Sequence, residues 1–351
     1  MELQIKNKIL ELVKKQETPF YIFNLKEIYS KYNFIKKNLG QAKLFYALKA
    51  NSEEGVLEKL NNLNSNFEIV SKEELQKLVR LKVGPERIIF SNPIKKVQDI
   101  KFAYNYGIKY FVFDNISEFN KIKKIVKNPD LILRIHVADL NKNIGIDFGA
   151  TVEDLKIMIK EIKDFSKQVK GLTFYGDIRP SIFRCLEIKK EFFPDLKLIN
   201  IGGGFQLQDK YKDYKYFKEI NEFMRKIVKD MKIRFYVEPG LYIVNSAGYL
   251  VSKVLSSGYR NNKYFVYLDS GKPSGLINKK CEYEQLSLLE NNKVGKVYFY
   301  GPTCDNSVLF EKENVNLPQI NDILCFKNLG AYSVCYANNF HSFKKPEIFY
   351  I

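Results

Sequence analysis

Eight short apolar runs recur through the chain at regular intervals: KLFYAL (43–48), NFEIV (66–70), RIIF (87–90), KYFVF (109–113), LILRIHV (131–137), VKGLTF (169–174), LKLINI (196–201) and IRFYV (233–237). Each is rich in β-branched or aromatic residues and short enough to be a buried strand. Between them lie segments of helical period, among them SEEGVLEKLNNL, SKEELQKLVRL, VEDLKIMIKEIKDFSKQ and YFKEINEFMRKIVKDM. Ser52, Ser71 and Thr151 stand where N-caps of the first three would stand. Eight such units fit an α/β fold of the (β/α)8 barrel type better than an open doubly wound sheet.

After Glu238-Pro239-Gly240 the pattern changes to runs such as LYIVNSAGYLVSKVL, KYFVYLD, KVYFY, DILCFKN and PEIFYI, separated by Gly, Asn, Asp or Pro. These predict a C-terminal all-β domain. The first 20 residues precede the barrel and are expected to pack with it. No internal repeat, low-complexity tract or linker interrupts the chain, so the two parts are expected to pack tightly.

At 351 residues, 45% hydrophobic and 28% charged, disorder and collagen are excluded. The net charge of +17 is spread along the chain without a basic block. Biased composition accounts for it more simply than nucleic-acid binding. The five cysteines form no CxxC pair and no metal-ligand spacing, and only two histidines, His136 and His341, are present. No metal centre is therefore expected. A reducing compartment suits the cysteines. No signal sequence and no run of 18 apolar residues is found, and the expectation is a soluble cytoplasmic protein with no membrane partner.

In a (β/α)8 barrel the chemistry sits where strands end. In chain order those positions carry Lys49, Glu68, Ser91-Asn92-Pro93, Arg134, Tyr175, Gly202-Gly203-Gly204 and Glu238. A lysine at a barrel mouth can be desolvated into a nucleophile, or it can snorkel to the surface. A glycine triplet offers bare N–H groups to a phosphate, or simply a tight turn. GGGF is not the GxGxxG of dinucleotide folds. Together the three features suit pyridoxal 5'-phosphate, which needs a lysine amine, a phosphate cradle and an acid beside its ring nitrogen. Glu238 can be that acid.

The series TPFYIF, YALKAN, FEIVSKEEL, RIIFSNPIKK, LILRI, DFGA, GLTF, INIGGGF, VEPG, GPTCD, NLGAY and FHSFKKPEIFY resembles the alanine-racemase-like pyridoxal-phosphate enzymes. Within that class it is closest to the ornithine/arginine/diaminopimelate decarboxylases, and to ornithine decarboxylase in particular. The resemblance implies a barrel over 21–245, with 1–20 and 246–351 forming a β domain that completes the partner's active site in a homodimer. It implies that Lys49 is the Schiff-base lysine and Glu238 the ring-nitrogen partner. Glu68 and Arg134 would be supporting residues, with Gly202, Gly203, Gly204 and Tyr332 at the phosphate. Cys304 would donate a proton to the carbanion, or else be a core cysteine. Asp305 would bind a distal amine, and Phe340 would line the site floor or pack in the core.

The departures bear on function. Tyr175 replaces a histidine stacked on the cofactor, the serine that follows it in the family is absent, and Leu241 replaces a phosphate-binding arginine. Each charged hydrogen bond lost is worth roughly 1.5–3 kcal/mol. Arg179 is the candidate replacement, with a solvent-facing arginine as its alternative. A gapless alignment from Asp269 to Leu288-Leu289 puts Cys281 where ornithine decarboxylases carry a second amine-binding aspartate; a one-residue shift would bring Glu282 there. Plain ornithine is therefore not the expected substrate.

The expected activity is decarboxylation of a basic amino acid, or of an α-amino-acid group on a larger anionic nucleotide, peptide or carrier. The alternative is a non-catalytic regulator resembling the antizyme inhibitors. A racemase is a third reading, and GPTCD argues against it.

Overall fold

The computed structural model describes residues 3–137, 148–205, 210–277, 281–286 and 293–351. The chain forms two compact units, Lys31–Tyr242 and a second made of Met1–Ser30 with Ile243–Ile351.

In the first unit all eight expected strands form a closed parallel barrel. With β1 (Phe20–Phe23) belonging to the second unit, the barrel strands are β2 (Ala42–Ala47), β3 (Asn66–Ile69), β4 (Ile88–Phe90), β5 (Tyr110–Phe113), β6 (Asp130–Arg134), β7 (Val169–Thr173), β8 (Leu198–Asn200) and β9 (Arg234–Val237). The ring closes where Ala42 of β2 pairs with Phe235 of β9. Phe45, Ile89, Val112, Ile132, Leu198 and Tyr236 pack together as one buried cluster, the Phe45 and Tyr236 rings 4.9 Å apart. Burying each such large side chain contributes about 1.5–3 kcal/mol.

Two of the three expected N-caps form. Ser71 accepts from the Glu74 N–H, and Thr151 makes a capping box with Asp154. Ser52 does not cap: the helix Glu54–Asn62 starts from Glu53 without a side-chain cap, and the carbonyl and hydroxyl of Ser52 both accept from Lys77 Nζ at 2.8 Å. Recruitment by a lysine from the next helix outcompetes the local cap.

The second unit is an eight-stranded mixed sheet. Its further strands are β10 (Gly248–Arg260), β11 (Lys263–Leu268), β12 (Glu282–Gln285), β13 (Val294–Tyr300), β14 (Phe310–Asn316), β15 (Ile323–Lys327) and β16 (Glu347–Tyr350). The run LYIV, expected as strand, is instead a short helix, Leu241–Val244. β1 pairs antiparallel with β10 and parallel with β16. That pairing takes residues beyond the expected boundary at 21 into this unit. The N-terminal helix Leu3–Val13 follows it, burying Ile5 and Ile9 against Phe20, Ile22, Val251 and Cys325 of the sheet rather than against the barrel.

Candidate active site

The strand ends of the barrel bring a lysine, two carboxylates and a glycine turn together. Lys49 sits in the turn Leu48–Ala50 directly after β2, with its Nζ 3.1 Å from Glu68 Oε1. Glu68, near the end of β3, is fully buried, and its Oε2 has no hydrogen-bond partner. Burial pushes the Glu68 carboxyl up to about 7, opposed by the Lys49 ammonium and reinforced by the Glu238 carboxylate.

Glu238 follows β9 and is buried. Its Oε1 accepts from Ser91 Oγ at 2.8 Å and from Asn200 Nδ2 at 2.6 Å. Asn200 is itself fully buried and accepts from the Gly202 N–H at 3.0 Å, so one side chain ties the second carboxylate to the glycine turn. No role for Asn200 was read from the sequence. The available signal was an asparagine breaking the apolar end of LKLINI where barrel chemistry sits.

The glycine turn depends on its residues at two points. Gly202 has φ +65°, a conformation glycine adopts without strain. A Cβ on Gly203 would fall 2.1 Å from the Glu238 carbonyl oxygen. Arg134, at the end of β6, lies with its guanidinium over the Phe148 ring at 5.2 Å. Burial lowers the Arg134 pKa, while Asp114, Glu238 and Glu68 pull it the other way.

Two other expected barrel residues are open to solvent. Tyr175 is 76% exposed. Arg179 lies in the helix Ile178–Phe192 and donates to Glu219 Oε2 at 3.1 Å, both side chains half exposed. It takes the solvent-facing alternative, with its guanidinium engaged by a carboxylate.

In the second unit, Cys304 is exposed with φ +58°, an uncommon backbone for a non-glycine residue. The core-cysteine alternative therefore does not hold. Asp305 and Phe340 line a cavity of about 370 Å³, with Phe340 half exposed rather than buried in the core. Tyr332 is partly exposed at φ +50°. Cys281 is buried, whereas Glu282 is exposed on β12 opposite Lys327. The Leu288-Leu289 end of the alignment that placed them lies outside the described residues.

The barrel residues fit pyridoxal phosphate. A lysine amine, a carboxylate with both bonds on Oε1 and so an oxygen left for a ring N–H, and a glycine turn with no room for a Cβ occur at one strand-end face. The unpartnered Glu68 Oε2 is a further acceptor awaiting a donor.

A family model described as "Pyridoxal-dependent decarboxylase, pyridoxal binding domain" matches residues 25–245. Ornithine decarboxylase of Mus pahari is 29% identical over 95% of this chain and 80% of its own length. Lysine/ornithine decarboxylase of Selenomonas ruminantium is 29% identical over 95% of this chain and 89% of its own. Antizyme inhibitor 2 of Xenopus laevis is 27% identical over 94% and 80%. Among solved structures, the arginine decarboxylase of Paramecium bursaria Chlorella virus superposes with a TM-score of 0.88 at 24% identity, covering 99% of this chain and 100% of the other. Lysine decarboxylase of Selenomonas ruminantium superposes with a TM-score of 0.84 at 25% identity, covering 100% and 96%.

Proposed function

This chain belongs to the pyridoxal-dependent decarboxylases, and from that premise we propose that it removes the α-carboxyl of an amino acid with Lys49, Glu238 and Cys304 as its working residues. The observation that carries the proposal is the Lys49–Glu68 pair at 3.1 Å beside a Glu238 held by two donors.

Pyridoxal phosphate, when bound, supplies the electron sink that takes up the pair left as CO2 departs. Lys49 would hold its aldehyde, with Glu68 fixing where the Lys49 amine points. Glu238 would keep a proton on the ring nitrogen, and Ser91 and Asn200 fix the Glu238 carboxylate for that bond. Gly202, Gly203 and Gly204, with Tyr332, would receive the phosphate, and Arg134 would add positive charge near both carboxylates. Cys304 would deliver a proton from Sγ to the α-carbon. In a homodimer, Cys304, Asp305 and Phe340 would serve the partner's barrel. Cys185 and Cys304 are free thiols, which suits a reducing compartment, and we place the enzyme in the cytoplasm. Among the described residues no helix is long and apolar enough to cross a membrane.

The test is CO2 release from a panel of α-amino acids and amino-acid conjugates in the presence of the cofactor, with Cys304→Ala in parallel. Release that slows by about 10²-fold or more in the variant supports the assignment. An unchanged rate and product would remove Cys304 from it.

The second reading is a non-catalytic regulator. It draws on Leu241 in place of an arginine and on the exposure of Tyr175. Against it stand Lys49, Glu238, Cys304 and Asp305, all retained.

A further inference from the structure

Asp305 does not offer a vacant carboxylate. Its Oδ1 accepts from the Ser307 N–H at 2.9 Å, and its Oδ2 accepts from Ser307 Oγ at 2.7 Å and from Lys272 Nζ at 3.1 Å. Lys272 Nζ also donates to Ser307 Oγ at 2.8 Å. The Ser307 hydroxyl and N–H, then Lys272, hold the Asp305 carboxyl down to about 2, which favours its ionised form.

The lysine is not there by a loose surface excursion. Its backbone begins the short turn Lys272–Ser274, which is pinned when the Asn338 N–H donates to the Pro273 carbonyl at 2.9 Å and Tyr21 Oη donates to the Ser274 carbonyl at 2.9 Å. Lys272, Asp305, Thr303, Ser307, Tyr336 and Phe340 line the same cavity of about 370 Å³. The ion pair is half exposed, 55% and 51%, so it adds little to stability. Its consequence is for recognition. An ammonium entering this cavity must displace Lys272 and then share the lip with a second cation. An anionic oxygen meets the Lys272 ammonium, with its third N–H still to give, in a cavity that Thr303 and Tyr336 also line.

We propose that Lys272 sets the substrate class, so that the chain takes an α-amino acid whose far end carries an anionic oxygen group, a carboxylate or phosphate, rather than an amine. This rests on the decarboxylase reading, in which the Asp305 cavity receives the far end of the amino acid.

The experiment titrates the cofactor-loaded protein by calorimetry with 5-aminopentanoate and with cadaverine, two ligands of equal length that end in a carboxylate and an amine. Wild type is expected to bind 5-aminopentanoate roughly tenfold or more tightly than cadaverine, and Lys272→Met to invert that order. Lys272→Arg keeps the wild-type order. Tighter cadaverine binding by wild type, an order unchanged in Lys272→Met, or no binding of either ligand would each overturn the proposal. Failure of the decarboxylase reading is separate. It would show as the expected binding order without CO2 release from any amino acid of either class.

Discussion

Glu68 keeps one carboxylate oxygen on the Lys49 amine at 3.1 Å and the other buried without a partner. A buried acceptor left open in this way is costly unless something docks against it. Its position beside the lysine is the ground on which we assign it to the proposed cofactor site rather than to the core.

The same burial gives a pH signature. The folded Glu68 carboxyl is raised to about 7 from an ordinary 4.5, so between those values the folded chain holds a proton that the unfolded chain has released. Stability contributed by this group is present below that window and falls as pH rises through it. In cofactor-free protein, Glu68→Gln should remove this loss, making the variant more stable relative to wild type at pH 8 than at pH 5 by about 1–3 kcal/mol in urea unfolding. Parallel profiles for the two proteins would show that the raised carboxyl is not Glu68.

Asn200 is expected to matter through Glu238. Asn200→Ala removes the 2.6 Å bond to Glu238 and the anchor of the Gly202 N–H. Cofactor affinity should fall by roughly tenfold, and stability by about 1–3 kcal/mol, because buried partners lose their bonds. Cofactor titration by absorbance gives the first quantity and urea unfolding the second. Unaltered affinity would mean that Glu238 is positioned without Asn200.

The glycine turn predicts an asymmetry. Gly203→Ala places a Cβ 2.1 Å from the Glu238 carbonyl oxygen, whereas at Gly204 the nearest atom is 3.7 Å away. Gly203→Ala should therefore lose cofactor binding or fold poorly, and Gly204→Ala should fold normally. Equal thermal stability of the two variants would contradict the close approach seen at Gly203.

Arg179→Ala is expected to leave cofactor affinity unchanged, because the guanidinium is engaged by Glu219 and both groups are half exposed. The loss of that pair should cost no more than about 1 kcal/mol. A tenfold weaker cofactor titration would show that Arg179 leaves Glu219 for the phosphate.

The barrel was legible because its strands are buried on both faces and read as continuous apolar runs, with polar residues collected at one end of each. Lys49, Glu68 and Glu238 could be picked out by that position alone. Less visible was whatever depends on a distant partner. Lys272 and Asp305 are 33 residues apart in the chain, and the parallel pairing of β11 with β13, Tyr267 opposite Tyr300, carries them to the same edge. Ser52 carries a good local cap signal that Lys77, a residue of the following helix, overrides. LYIV has strand composition but forms a helical turn, since propensity over four residues is a weak determinant. Arg179 has the charge for a phosphate, and only the helix face on which it stands shows that it meets Glu219.

The most direct test of the account is the absorbance spectrum of the purified protein with saturating pyridoxal phosphate, for wild type and for Lys49→Ala. The account predicts a band near the visible edge that requires Lys49. A spectrum of free cofactor in both proteins, or the same bound band in both, would contradict the assignment of Lys49 and with it the proposed chemistry.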